Sequence, residues 1–130
     1  MIYLLDVNAL LALAHASHTS HGRAEAWVKT LRLADKLATC AITELGFVRV
    51  APQARLSPDV THSRELLARL KRSKRPAFVL LPDGLGADTL PAWVKAPAQT
   101  TDGHLLALAG AHSAQLATFD EGIPGSVFIG

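Results

Sequence analysis

Cysteine is almost absent. Cys40 stands alone in 130 residues, which rules out an internal disulfide and any zinc cluster built on several thiolates. Long apolar runs are missing too. Charge, Pro or His interrupts each one before the roughly 18 to 20 residues that a bilayer span needs. The opening Met1-Ile2-Tyr3-Leu4-Leu5 has no basic stretch, and Asp6 follows too early for a secretory signal. A cytoplasmic protein with no membrane segment is expected. No Gly-x-Ser-x-Gly occurs, so a serine nucleophile has no elbow to sit on. Gly84-Leu85-Gly86 is too short for a phosphate-cradling loop and lacks its lysine.

What is present is a globular composition, 49% hydrophobic and 18% charged, of a length that fits one domain over residues 1–130. Net charge is +2, unevenly placed. Residues 55–75 carry seven bases (Arg55, Arg64, Arg69, Lys71, Arg72, Lys74, Arg75) against Asp59 and Glu65. Such a stretch either attracts a phosphate backbone or is a solvated helix end.

Short apolar strands alternate with helical segments, which predicts an α/β/α sandwich around a central, mainly parallel sheet. Strands are expected at 2–5, 37–42, 78–81, 115–119 and 126–129. Helices are expected after Asn8 as cap, over 24–33, after Thr43 as cap until Pro52, from Ser57-Pro58 to about Arg72, and over 102–111 after Thr101. A short helix is expected near 87–90.

The acids are informative by position. Asp6 and Asp120 end predicted strands, and Glu44 and Asp102 open helices. In a parallel α/β sheet, strand ends and helix starts share one edge, where ligands bind. Clustered carboxylates repel unless a cation joins them. Oxygen-only ligation points to Mg²⁺ or Mn²⁺. Asn8 and Thr118 are candidates to orient carboxylates or water. The competing reading for Glu44 and Asp102 is simple compensation of a helix dipole. Asp6 and Asp120 resist that reading, since an acid gains little at the end of a buried strand.

Four stretches together resemble the PIN-domain family and, within it, VapC-type toxins: 4–13 (Leu-Leu-Asp-Val-Asn-Ala-Leu-Leu-Ala-Leu), 43–46 (Thr-Glu-Leu-Gly), 101–109 (Thr-Asp-Gly-His-Leu-Leu-Ala-Leu-Ala) and 116–120 (Leu-Ala-Thr-Phe-Asp). The resemblance implies that Asp6, Glu44, Asp102 and Asp120 bind Mg²⁺ or Mn²⁺. It implies endonucleolytic cleavage of RNA, with tRNA or ribosomal RNA as frequent targets. It also implies a cognate VapB-like antitoxin that blocks the site, and a homodimer of the catalytic subunit. Gly103 departs from the pattern, standing where Ala is common.

Arg69, Arg72 and Arg75 are candidates to guide RNA. The alternative is a catalytically silent PIN-like module that binds RNA or protein through the same groove. His15, His18 and His21 recur every three residues, as in a zinc site, but Ser17, Thr19 and Ser20 between them favour a loop. His104 and His112 read as surface or packing residues. Trp27 reads as core or interface, and Trp93 has no assigned role.

Overall fold

Five short strands, two of them ending in a buried threonine, pair into one sheet. The computed structural model describes residues 1–130. The strands are β1 (Ile2–Leu5), β2 (Lys36–Thr39), β3 (Ala77–Leu80), β4 (Gln115–Thr118) and β5 (Val127–Phe128). Their order is β3-β2-β1-β4-β5, and every pairing is parallel. The expected parallel α/β sandwich is therefore the architecture found. The chain builds outward from β1 to β3 and then returns to build β4 and β5 on the other side. The order reverses between β1 and β4, where Leu5 lies opposite Ala117.

Consecutive strand residues face opposite sides, so one apolar run feeds two cores. Leu5, Leu37 and Ala117 point into a cluster with Leu10, Phe47 and Leu67. Leu4, Ala38 and Leu116 point the other way, to Leu105, Leu108 and Ile123. The first face is covered by α1 (Val7–Ala14), α2 (His21–Val28), α3 (Ala41–Gln53) and α4 (Val60–Lys71), the second by α5 (Thr100–Ala111). Two 3₁₀ turns, Ala87–Thr89 and Pro97–Gln99, lie before α5. No helix is long and apolar enough to cross a membrane.

Helix starts differ from the sequence expectation, and each difference has a local cause. Asp6, not Asn8, caps α1: its backbone is extended and its Oδ1 accepts the Ala9 N–H at 2.8 Å. Cys40, not Thr43, occupies the cap of α3. Thr43 sits three residues in, and its hydroxyl accepts the Cys40 N–H at 2.9 Å. That start ends β2 at Thr39, short of Ile42. Asp59 caps α4 by accepting the His62 N–H at 2.8 Å, so Ser57-Pro58 precedes the helix. Thr101 lies inside α5, because a turn held by Gln99 Oε1 on the Lys95 and Ala96 N–H groups leads directly into that helix. The helix expected over 24–33 begins earlier, at His21, and stops at Val28, where i→i+3 bonds from Thr30 and Leu31 tighten the chain. Pro52 lies in the last turn of α3, which runs one residue further.

Two glycines allow close approaches beside the acids. A Cβ on Gly46 would stand 2.6 Å from Val7 Cγ2, so Gly46 lets α3 press on α1. A Cβ on Gly103 would overlap Val94 Cγ2, so this position, where Ala was the expected residue, admits the 90–94 segment against α5. Gly46→Leu is expected to cost about 1–3 kcal/mol through overpacking. Urea unfolding measures it, and an unchanged midpoint would refute the tight α1–α3 contact.

Candidate active site

The reversal point between β1 and β4 puts two acids side by side. Asp6 follows β1 and is only 8% exposed. Its backbone N–H continues the ladder to Ala117 O at 3.2 Å. Asp120 lies two residues beyond the end of β4. One hydroxyl ties them. Thr118 is fully buried, donates to Asp6 Oδ2 at 2.5 Å, and accepts the Asp120 N–H at 3.0 Å. Asp120 Oδ1 in turn accepts the Gly122 N–H at 2.8 Å, which folds the following turn. Both Asp6 oxygens have fixed partners, so its orientation is set, while each keeps a lone pair for a cation.

Asp102 reaches this place from the first turn of α5. Burial raises its pKa above the usual carboxylate range, and the charges of Asp6 and Asp120 raise it further. Asp6 is also raised. Burial is the main cause, opposed by the hydrogen bonds from Thr118 and Ala9, and Asp120 adds a smaller upward push. The three aspartates therefore share an electrostatic site.

Glu44 stands apart from those three. Its Oε2 accepts Thr39 Oγ1 at 2.5 Å and pairs with Lys71 Nζ at 2.7 Å, and it is not among the charges that shift Asp6 or Asp102. Thr39 ends β2 as Thr118 ends β4. Both are fully buried, and both donate to an acid. The sequence carries that symmetry as Leu-Ala-Thr at 37–39 and again at 116–118, although only Thr118 is singled out by its place before an acid. Lys71 has no feature in the sequence that separates it from the other bases of its stretch.

Asn8 is on the exposed side of α1's first turn, and His18 reaches it. Ser20 N–H donates to His18 Nδ1 at 3.0 Å, so the ring proton is on Nε2, which donates to Asn8 Oδ1 at 3.0 Å. That leaves the Asn8 amide NH₂ free to face outward. Burial lowers the His18 pKa, and His15, His21 and Arg23 lower it further, which keeps the ring neutral. The histidine triplet does not converge. His15 Nδ1 donates to Leu11 O at 2.8 Å, its ring stacks on Phe47, and its buried Nε2 has no partner. His21 donates to Ala12 O and pairs with Glu25. His104 meets Asp83 at 2.6 Å, and His112 donates to Pro82 O at 2.8 Å.

The other candidates are dispersed. Arg69 lies on the exposed last turn of α4, and Arg72 caps that helix. Arg75 precedes β3, whose Ala77 lies opposite Lys36, the first residue of β2. Arg75 is therefore at the edge where strands begin, opposite the acids. Of the basic stretch, Lys71 is the residue that pairs with one of the four acids, Glu44. Trp27 meets Tyr3 edge-on at 5.2 Å within the first core, and Trp93 is half-buried against the second.

As they stand, no three His, Cys, Asp or Glu side chains form a group that could hold a metal ion. The chemistry of the donors nonetheless fits a hard divalent cation. The set is all oxygen, and Asp6 and Asp102 are held in a repulsive environment that positive charge would relieve.

That repulsion has a sign. A raised carboxylate pKa means the folded state holds its proton longer than the unfolded chain, whose aspartates titrate near about 3.9. Stability is then lost as pH rises from that value through the raised one, and the full penalty is present above it. Without metal, Asp102→Asn should melt at a higher temperature than the parent at pH 7, and the advantage should shrink as pH falls toward about 4. Calorimetry across pH tests this. An advantage that grows on acidification contradicts the shared site.

The PIN domain matches residues 3–125 of the chain. The relative named Ribonuclease VapC44, from Mycobacterium tuberculosis (strain ATCC 25618 / H37Rv), is 44% identical over 126 residues, covering 92% of this chain and 87% of its own length. Ribonuclease VapC38 of the same strain is 39% identical over 123 residues, covering 92% and 86%. Among solved structures, Mycobacterium tuberculosis VapC20, described as a sarcin-ricin loop cleaving toxin, superposes with a TM-score of 0.62 at 13% identity over 93% of this chain and 92% of that one. VapBC2 from Rickettsia felis, bound to a DNA fragment from its promoter, superposes with a TM-score of 0.60 at 15% identity over 98% and 97%. With its acids at the reversal point of a parallel sheet and a match running nearly end to end, the chain belongs to the PIN-domain family.

Proposed function

We propose that this protein is a metal-dependent endoribonuclease, the toxin of a type II toxin–antitoxin pair. The observation that carries the reading is the Asp6–Thr118–Asp120 linkage across the sheet reversal, with Asp102 in electrostatic reach. The names of relatives at 39–44% identity support the activity.

Asp6, Asp102 and Asp120 would hold Mg²⁺ or Mn²⁺. Glu44 would join them from the first turn of α3, through its free Oε1 or through water. The bound cation supplies charge for a phosphoryl oxygen and a lowered water pKa. The chain's own residues do the rest. Thr118 and the Ala9 N–H fix the Asp6 carboxylate, so no reorganisation is needed when charge develops. The Asn8 amide, oriented by His18, offers a donor toward a phosphate oxygen. Lys71 balances Glu44 while the site is free of substrate. In-line attack of water on phosphorus breaks the P–O3′ bond, leaving a 5′-phosphate and a 3′-hydroxyl. Structured RNA such as tRNA or ribosomal RNA is the substrate class. A VapB-like antitoxin is the partner, and the toxin subunit forms a homodimer.

Incubation of the purified protein with total tRNA or ribosomal RNA, with Mg²⁺ or Mn²⁺ and then with EDTA, tests the reading. Discrete cleavage should need the metal. Asp6→Asn should abolish it, and Thr118→Val should reduce it about 10–100-fold, as removal of a carboxylate's supporting hydrogen bond does. If RNA is bound but never cut in any metal, the binding-module reading replaces this one.

A further inference from the structure

At the sheet edge opposite the acids, the C-terminal end of α2 and the approach to β3 enclose a cleft of about 280 Å³. Val28, Leu31 and Pro76 form its apolar part, and Lys29, Arg32 and Arg75 its charged part. Leu33, 76% exposed, stands beside it. No carboxylate lines it. None of the three cations is in an ion pair; the pairs in the molecule are elsewhere. The closest acid in sequence, Asp35, is already engaged by the Met1 ammonium at 3.1 Å and the Arg32 backbone N–H at 2.8 Å, and the Arg32 guanidinium acts on it without forming a salt bridge. Glu25, on the adjoining surface, is paired with His21.

Three unpaired positive charges around an apolar patch repel one another until an anion joins them. Two of them are guanidinium groups, whose planar fork matches phosphate oxygens in pairs and stacks on flat rings. The apolar side chains suit a base or ribose face and offer no hydrogen bonds to read its edge. We propose that this cleft is a second RNA contact, a subsite that holds one nucleotide of the substrate by its phosphate without reading its sequence. The inference rests on the ribonuclease reading and adds a place to it.

Its position sets a length. The acids follow the ends of β1 and β4, while Arg75-Pro76 precede the start of β3. A four-residue strand separates the two edges by on the order of 13 Å. At about 3.4 Å per nucleotide step along one strand of a duplex, that is roughly four steps. An RNA must reach at least that far from the scissile phosphate to touch both places. An RNA in duplex form must therefore extend about four steps from the cut to use both places.

The test uses two proteins that do not cut: Asp6→Asn, and Asp6→Asn carrying Arg32→Glu and Arg75→Glu. Binding of fluorescently labelled total tRNA is measured by anisotropy across a salt series, and thermal melting checks that both are folded. Charge reversal is expected to weaken binding at least about tenfold and to lower the salt slope by roughly 1, for the one phosphate that no longer meets the arginines. Arg32→Gln with Arg75→Gln replaces the reversal if that variant does not fold, and should show the same direction. Equal affinity and equal salt slope in the folded variants overturn the subsite. So does poly-glutamate that binds the parent through these arginines while tRNA binding ignores them, since the cleft would then serve an acidic protein segment. A parent protein that cuts no RNA, yet binds tRNA in a cleft-dependent way, overturns the ribonuclease reading and leaves the subsite standing.

Discussion

The Thr118 hydroxyl is the contact on which the rest of the site depends. It has one proton to give, and it gives it to Asp6 while taking the Asp120 N–H. It does so with no access to water, where an unmade hydrogen bond would cost more than a made one gains. The residues it joins follow the ends of adjacent parallel strands, so the alignment of the acids depends on the β1–β4 pairing. The same carboxylate that faces the site also caps α1 through Ala9. The helix start and the chemistry thus share one side chain, whose ionised form is disfavoured by burial and held in place by two donors.

Around that contact, the packing is built to bring backbone close. Gly46 follows Glu44 by two residues and takes Val7, which sits between Asp6 and Asn8. Gly103 follows Asp102 directly and takes Val94 and Pro91. Each helix that delivers an acid therefore has its spacing set by a missing side chain next to that acid. A residue that looks like a weak helix former in isolation is in this setting a spacer.

The strands were legible because their apolar runs are short and bounded, and because a two-sided core leaves no polar alternation to confuse them. The Asp6 and Asp120 positions followed from those strand ends. Helix starts were less legible. Asp6 reads as chemistry, which hides its role as a cap, and Cys40 is not a side chain that capping preferences single out. Thr39 is visible in the repeated Leu-Ala-Thr but draws no notice, since its partner Glu44 lies on the next helix. Arg75 belongs in sequence to the basic end of α4, yet in space to the opposite edge. Only the register of β3 against β2 reveals this, and a register between strands some forty residues apart is not written in either strand alone.

Asp6 and Thr118 are 112 residues apart in the chain, and β1 has β4 as its neighbour as well as the strand that follows it. Pairing across so long a loop carries a closure cost that is met late. During translation, a ribosome that has released only the residues before β4 has exposed Asp6, Glu44 and Asp102 but no strand to align Asp6. The competent site comes into being only when β4 emerges and docks. The aligned pair of acids thus arises as a step at the end of synthesis and not as a gradual rise, and unfinished chains carry Asp6 without the hydroxyl that orients it.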